Sequence, residues 1–211
     1  MIIDLHSHTK PKSEDSDLTP GELIGKAKLS GLDGVCFTEH DYHWKDEDIN
    51  TLRTEFNYPI FRGIEISCNE GDLIVFGLSE YTFGMHHAEV VRRAVDEVGG
   101  FIILAHPFRK RVRFGYSTSP SILLDEVSSH YVFDLVDAIE ILNGGSRDNE
   151  NEFAWELAKR KNLRGVGGSD AHDAADIPSF ATEFERPVGS LEELIFELKT
   201  GRFRAVDLRS I

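Results

Sequence analysis

The chain has 211 residues, of which 40% are hydrophobic, and a formal net charge of −14 at pH 7. This length suits one sizeable core and lies within the range of a single α/β barrel. The charge argues against an extended nucleic-acid partner, but not against a small phosphate ester held by metal ions. No apolar run approaches the ~20 residues that span a bilayer, so no membrane association is expected.

Cysteine usage and the N-terminal residues indicate a cytoplasmic protein. Cys36 and Cys68 are too few and too far apart for a disulfide framework. The first residues lack the basic region and apolar run of a signal peptide. No repeat, low-complexity tract or linker interrupts the sequence, so we expect a single domain over residues 1–211.

Strand-like apolar runs alternate with helix-like segments, which is the pattern of a parallel β/α architecture. The predicted strands cover residues 2–5, 34–38, 60–66, 73–77, 101–105, 138–142, 165–168 and 203–208. The predicted helices cover residues 20–30, 45–56, 86–98, 122–128, 149–161 and 190–200. The first helix has clear boundary signals, because Thr19 precedes Pro20 and Glu22 at its start and Gly31 follows its end.

Two histidines, His6 and His8, follow the first predicted strand and are separated by one residue. Side chains at positions i and i+2 of an extended segment lie on the same side of the chain. Imidazole is the commonest protein ligand for divalent transition metals. The pair therefore indicates a metal site if further ligands lie at the ends of other strands.

Further residues with metal-binding side chains do occur at the carboxyl ends of other predicted strands. They are His40, Glu65, His106, Asp170 and His172. In parallel α/β folds the carboxyl ends of the strands form the active-site edge. Each residue alone is typical of a hydrogen-bonded group near a core, but their joint occurrence predicts a shared metal site.

Five ordered motifs resemble those of a known family. They are Asp4-Leu5-His6-Ser7-His8-Thr9, Thr38-Glu39-His40-Asp41, Gly63-Ile64-Glu65-Ile66-Ser67, Ala105-His106-Pro107 and Gly168-Ser169-Asp170-Ala171-His172. In this order they resemble the motifs of the PHP family, named for its polymerase-associated and histidinol-phosphatase members. The resemblance covers essentially the whole chain. It implies a distorted, TIM-like (β/α)₇ barrel with metal ions at its mouth, and phosphoesterase activity.

The resemblance also implies a ligand set for two or three divalent ions, which would be manganese, iron or zinc. The ligands are His6, His8, Glu65 and Asp170 for one ion, Glu65 as a bridge with His106 for a second, and Asp15, His40 and His172 for a third. Asp15 is assigned from its place in the loop before the first helix, where Glu14 and Asp17 are alternatives. Glu65, His40 and Asp170 are expected to act in catalysis.

One position departs from the family pattern. Many relatives have a histidine directly after the glycine that precedes the fourth strand, whereas here Gly71 is followed by Asp72. Asp72 as a ligand would favour manganese or iron over zinc, since carboxylates suit harder metals. Asp72 as a turn residue would leave the second ion weakly held.

Three other residues are candidates for roles at the mouth of the predicted barrel. Arg109 follows His106 by three residues and is a candidate contact for a substrate phosphate. The neighbouring Lys110, Arg111 and Arg113 are interpreted as a solvated loop. His43 is a candidate acid for the leaving oxygen or a loop residue without a role. Asn143 ends a strand, and either faces the mouth or forms a left-handed turn before Gly144.

Two ions about 4 Å apart that share a carboxylate can stabilise the attacking and leaving oxygens of a displacement at phosphorus. The sequence and the resemblance together predict hydrolysis of a small phosphate monoester or diester by a metal-bound hydroxide. An amidohydrolase-like enzyme is one alternative, because those barrels also begin with a His-x-His pair. A non-catalytic metal-binding module is the other. The expected partner is a small phosphorylated substrate, and the question of protein partners stays open.

Overall fold

The computed structural model describes residues 1–109, 120–173, 176 and 178–210, which form strands and helices in alternation. The strands are β1 (Ile2–Asp4), β2 (Gly34–Phe37), β3 (Ile60–Arg62), β4 (Ile64–Cys68), β5 (Gly71–Phe76), β6 (Phe101–Leu104), β7 (Ala138–Asn143), β8 (Arg164–Gly168), β9 (Phe180–Phe184) and β10 (Phe203–Asp207). The α-helices are α1 (Pro20–Leu29), α2 (Asp46–Phe56), α3 (Ala88–Val98), α4 (Pro120–Ser128), α5 (Asp148–Lys161) and α6 (Leu191–Thr200). Short 3₁₀ helices cover Tyr131–Asp134 and Leu208–Ser210. The expected mixed α/β class is confirmed.

The strands form two separate five-stranded sheets, with orders β10-β9-β1-β2-β3 and β4-β5-β6-β7-β8. No sheet closes on itself within the described residues, so the closed barrel implied by the resemblance is not shown. Isolated bridges, Ser7 with Ala171 and His40 with Glu65, connect the margins of the two sheets. The carboxyl ends of β1 and β2 in the first sheet therefore lie beside elements of the second.

The predicted single strand over residues 60–66 is wrong, because the chain changes sheets at Gly63. β3 pairs with β2 in the first sheet, whereas β4 pairs with β5 in the second. A Cβ atom at Gly63 would lie 2.7 Å from the Phe76 ring and 3.0 Å from Thr38 Cγ2. Only glycine lets the backbone pass this closely.

The purely parallel architecture is also wrong in part. β5 is antiparallel to both β4 and β6, and β9 is antiparallel to both β1 and β10. The link between β4 and β5 is only Asn69 and Glu70, and a two-residue connection can join only antiparallel neighbours. The sequence pattern does not predict β9.

Local signals set most helix boundaries. Thr19 forms a capping box with Glu22 at the start of α1. Gly99 and Gly201 end α3 and α6 with left-handed φ angles of 66° and 72°. The predicted helix over residues 122–128 is α4, which begins earlier, at Pro120. Lys110, Arg111 and Arg113 lie outside the described residues.

In the described residues, apolar side chains of the strands and helices form three buried clusters. The largest fully buried side chains are Phe37, Phe61, Phe76, Phe108 and Phe184. Close packing of this kind fixes the strand ends, and so fixes the positions of the polar residues that follow them. In the described residues, no helix is both long enough and apolar enough to cross a membrane.

Candidate metal centre

His6 and His8 lie immediately beyond β1, and both side chains are fully buried. Their Nε2 atoms are 3.0 Å apart. The Asp4 carboxylate supports this turn of the chain, because its Oδ1 accepts hydrogen bonds from the amides of His6 and Ser169. The structure therefore places the two imidazoles on one side, with their outer nitrogens together.

Glu65, on β4, brings its carboxylate between four histidines. Its Oε2 lies 3.2 Å from the Nε2 atoms of both His6 and His8 and 3.3 Å from His40 Nδ1. Its Oε1 lies 3.0 Å from His106 Nε2. Burial alone would raise the pKa of Glu65, but His6 and the hydrogen bonds from the histidines hold it well below its usual range. Glu65 is therefore an ionised carboxylate with one oxygen toward each histidine group.

Asp170 completes the buried group formed by His6 and His8. Its Oδ1 lies 3.4 Å from His6 Nε2 and 3.3 Å from His8 Nε2. This oxygen is buried and accepts no hydrogen bond. Its Oδ2 forms an ion pair with Arg109 and accepts a 3.1 Å hydrogen bond from Asn143 Nδ2. Asp170 also has a left-handed φ of 52°, a backbone conformation that costs free energy and is common at functional sites.

Asp15, His40 and His172 form a more exposed group next to the buried one. Asp15 Oδ2 lies 3.2 Å from His40 Nε2 and 3.3 Å from His172 Nε2. The rings of His40 and His172 both stack against the ring of His8, with centroid distances of 4.4 and 4.3 Å. Of the three acidic loop residues considered, the structure places Asp15 against these imidazoles.

Asp72 lies beside Glu65 and His106. Ligand atoms of Asp72, Glu65 and His106 all lie within 4.8 Å of one another. His106 has a φ of 23°, so a second residue of the cluster has an unfavourable backbone conformation. The structure therefore brings Asp72 to the position of the expected second ion.

Hydrogen bonds around His6 and His8 determine which ring nitrogens carry protons. His6 Nδ1 donates to Glu140 Oε1 at 3.0 Å, so Nε2 is the nitrogen that loses its proton when the ring binds a cation. Ser13 Oγ donates to Glu39 and therefore accepts from His8 Nδ1, at 3.3 Å. The Nε2 atoms, Glu65 Oε2 and Asp170 Oδ1 then form four converging lone-pair donors.

This donor set fits a divalent cation. Imidazole nitrogens and carboxylate oxygens are ligands of zinc, iron and manganese, and a cation satisfies the unpartnered Asp170 oxygen. The negative charges of the site also favour a bound cation. Burial would lower the pKa of His6, but the carboxylates of Glu140 and Glu65 raise it to about 10. The residues present therefore favour positive charge at the centre of the cluster.

Comparisons with known proteins agree with this geometry. Residues 148–203 match the model of the PHP-associated family. An uncharacterized protein of Methanocaldococcus jannaschii, MJ1587, is 30% identical over 159 residues, which are 70% of this chain and 85% of that protein. The chain belongs to the PHP family.

Solved structures show the same fold. A two-domain protein from Bacteroides vulgatus containing a predicted PHP-like metal-dependent phosphoesterase has a TM-score of 0.70 at 21% identity, covering 98% of this chain and 64% of that one. A protein from Bifidobacterium adolescentis described as a metal-dependent phosphoesterase has a TM-score of 0.63 at 17% identity, covering 99% and 98%. An amidohydrolase from Chromobacterium violaceum has a TM-score of 0.64 at 15% identity, covering 98% of each chain.

Two buried carboxylates of this PHP chain, Glu140 and Glu39, orient the histidines and are not predicted from the sequence. Glu140 bonds to His6 and also accepts from the amide of His106. Glu39 accepts from Thr9, Ser13 and Trp44. A single acid inside the apolar run of β7 was the available signal for Glu140, since an unpaired carboxylate is rarely buried.

The remaining candidates, Arg109, Asn143 and His43, differ in their distance from the cluster. Arg109 Nη2 donates to Asn143 Oδ1 at 3.0 Å and pairs with Asp170. Asn143 is the last residue of β7 and faces the cluster, so the left-handed turn is not its explanation. His43 lies 3.2 Å from Arg62 Nη1, and the contacts of the described residues place it against β3 rather than against the cluster.

Proposed function

We propose that this PHP protein hydrolyses a small phosphate monoester or diester with the help of divalent metal ions. The observation that carries the proposal is the convergence of four lone-pair atoms in a buried site, one of which, Asp170 Oδ1, has no hydrogen-bond partner. Burying such acceptors together is unfavourable unless a cation joins them. The family membership supplies the reaction class.

The proposed ligands follow the three groups of contacts. They are His6, His8, Glu65 and Asp170 for the first ion, Glu65, Asp72 and His106 for the second, and Asp15, His40 and His172 for a third. When bound, such ions neutralise phosphoryl oxygens and activate a water molecule as the nucleophile. The identity and the number of the ions are part of the proposal.

The residues of the chain have separate tasks in this proposal. Glu65 directs one oxygen toward His6 and His8 and the other toward His106, which holds the two ligand groups at a fixed separation. Asn143 and Asp170 hold the Arg109 guanidinium beside the cluster. Arg109 is proposed to contact the substrate phosphate from there. His43 has no place in the proposed reaction.

The test combines metal analysis with hydrolysis assays on one preparation. We expect manganese- or iron-loaded protein to hydrolyse small phosphomonoesters or phosphodiesters, and Asp170→Asn to lose at least about 100-fold in kcat/KM. Asp48→Asn is the matched control, because Asp48 is exposed in the first turn of α2 and belongs to none of the ligand groups.

The same preparation separates the alternatives. Hydrolysis of small amides or lactones with no hydrolysis of phosphoesters would favour the amidohydrolase-like enzyme. Stoichiometric bound metal with neither activity would favour a binding module. Either result would overturn the proposed phosphoesterase function.

A further inference from the structure

Asn151, in the first turn of α5, is bonded to the main chain at the end of β7. Its Oδ1 accepts a 3.1 Å hydrogen bond from the Asn143 amide, and its Nδ2 donates a 3.2 Å hydrogen bond to the Asn143 carbonyl. Both residues are buried. One side chain of α5 therefore holds both main-chain polar groups of Asn143, as a neighbouring strand would.

Asn143 is the first residue of a turn over residues 143–146, which connects β7 to α5. The Ser146 amide donates a 3.2 Å hydrogen bond to the Asn143 carbonyl, and the Gly144 amide donates a 3.1 Å hydrogen bond to the carbonyl of Gly168 at the end of β8. The turn is thus bonded to α5 through Asn151 and to β8 through Gly144. Contacts with two packed elements fix its position.

This turn is the surface against which the Arg109 guanidinium lies. Asn143 Oδ1 accepts a 3.0 Å hydrogen bond from Arg109 Nη2. A Cβ atom added at Gly145 would overlap Arg109 Nη2 and would lie 3.1 Å from Asp170 Oδ2. Only glycine leaves room for the guanidinium between the turn and Asp170. The position of Arg109 beside the cluster therefore depends on the position of the turn.

The side-chain amide of Asn143 has one favourable orientation. Its Nδ2 donates to Glu140 Oε2 at 2.9 Å and to Asp170 Oδ2 at 3.1 Å. A flipped amide would place its oxygen against two carboxylates and its NH₂ group against the guanidinium, which only donates. The Asn143 oxygen must therefore face Arg109.

Arg109 keeps a donor for a ligand. Its Nη2 contacts Asn143 and Asp170, whereas its Nε is buried and donates no hydrogen bond within the described residues. The donors of a guanidinium lie in one plane, so fixing one nitrogen orients the others. A guanidinium held in this way loses less side-chain freedom when it binds a phosphate oxygen.

We propose that Asn151 is a positioning residue for phosphate binding, which acts by holding the turn over residues 143–146 and, through the turn, the Arg109 guanidinium. The inference rests on the proposed function only for Arg109 as the phosphate contact. Asn151 is not a catalytic residue, because its side chain bonds to the main chain of Asn143 and belongs to none of the ligand groups found in the described residues.

Calorimetric titration of inorganic phosphate into protein saturated with manganese tests this role. Asn151→Asp keeps the size of the side chain but places a second oxygen against the Asn143 carbonyl, so the turn should shift. We expect the phosphate affinity to fall about five- to tenfold, because a displaced guanidinium loses part of its contact. Asn149→Asp is the matched control. It adds the same charge to the first turn of α5 at a residue that does not hold Asn143, and should bind phosphate like the unmodified protein.

A double-mutant cycle with Arg109→Ala separates positioning from a general structural effect. Arg109→Ala should itself weaken phosphate binding about 10- to 100-fold, the usual cost of losing a hydrogen bond from a charged group. If Asn151 acts through Arg109, Asn151→Asp should have little further effect in the Arg109→Ala protein, less than about twofold. Additive losses, an unchanged affinity in either single variant, or no measurable phosphate binding by the unmodified protein would overturn the inference.

Asn151→Ala is the second variant, in case Asn151→Asp does not fold. Asn151 lines a cavity between α5 and β10, so water can reach the main-chain groups of Asn143 and partly replace the lost hydrogen bonds. We expect the same fall in phosphate affinity and the same lack of effect in the Arg109→Ala protein. Thermal unfolding records the stability of each variant. A loss of stability with unchanged phosphate affinity would assign Asn151 a structural role only and would overturn the inference.

Phosphate binding and phosphoester hydrolysis test different proposals. Non-additive losses of phosphate affinity in protein that cleaves no phosphoester would leave the role of Asn151 intact and overturn the phosphoesterase proposal. Phosphoester hydrolysis together with additive losses would do the reverse.

Discussion

Glu140 Oε1 and His6 Nδ1 are 3.0 Å apart, and both side chains are buried. The carboxylate fixes the tautomer of the imidazole and directs its other nitrogen at the cluster. The same carboxylate accepts hydrogen bonds from the His106 amide and from Asn143 Nδ2. One residue of β7 therefore orients groups that come from three strand ends.

Glu140→Gln should weaken manganese binding about 10- to 100-fold, because the glutamine amide cannot supply the negative charge that holds the His6 proton on Nδ1. Calorimetric titration with manganese measures this change. The exposed Glu152 of α5 provides the control variant, Glu152→Gln, which should bind manganese like the unmodified protein. An unchanged affinity in Glu140→Gln would mean that the tautomer of His6 is set in another way.

Ser13 links the Glu39 carboxylate to His8 through two hydrogen bonds. Its hydroxyl donates to Glu39 at 2.6 Å and accepts from His8. Ser13→Ala should reduce manganese affinity by about three- to tenfold, because His8 loses the partner that fixes its tautomer. The free energy of unfolding of the metal-free protein should fall by about 1–3 kcal/mol, because the buried Glu39 and His8 side chains each lose one hydrogen bond. A large loss of stability with normal metal affinity would assign Ser13 a structural role only.

Metal removal should lower stability. The ligands come from β4 and from the connections after β1, β6 and β8, so only the folded chain brings them together. An ion that binds only the folded chain, at a concentration 100 times its Kd, stabilises it by about 2.7 kcal/mol. Thermal unfolding with and without a chelator measures the difference. In Asp170→Asn the difference should largely disappear, and a chelator effect of full size in that variant would show that the stabilising ion binds elsewhere.

Gly63→Ala should destabilise the fold by about 1–3 kcal/mol, because the new methyl group overlaps the Phe76 ring and Thr38 where the chain changes sheets. Gly25→Ala is the matched control. Gly25 lies inside α1 with nothing within 4 Å of an added Cβ, so alanine there should stabilise by about 0.5–1 kcal/mol. Denaturant unfolding of both variants compares them directly, and equal stabilities would refute a close approach at Gly63.

Several features could be predicted from sequence because short-range chemistry determines them. Thr19 and Gly31 mark the two ends of α1, and the apolar run before His106 is β6. The cluster residues could be located because His6, Glu65 and Asp170 each follow or lie within an apolar strand. These signals are contained in a few neighbouring residues.

Other features depend on contacts between distant parts of the chain. The break at Gly63 follows from the position of Phe76, which no local pattern reports. β9 is held by pairing with β1 and β10, and its own residues alternate only weakly. The roles of Glu140 and Glu39 depend on which histidines they meet. Such pairings cannot be read from one sequence without the packed structure.

The change of sheet at Gly63 lies only two residues before Glu65. His6 and His8 extend from the first sheet, whereas Glu65 and His106 extend from the second. A metal ion shared by these side chains would cross-link the two sheets across their seam. Small sliding of one sheet against the other would therefore separate the ligands and lower the metal occupancy, and the loss of this cross-link would in turn lower the melting temperature.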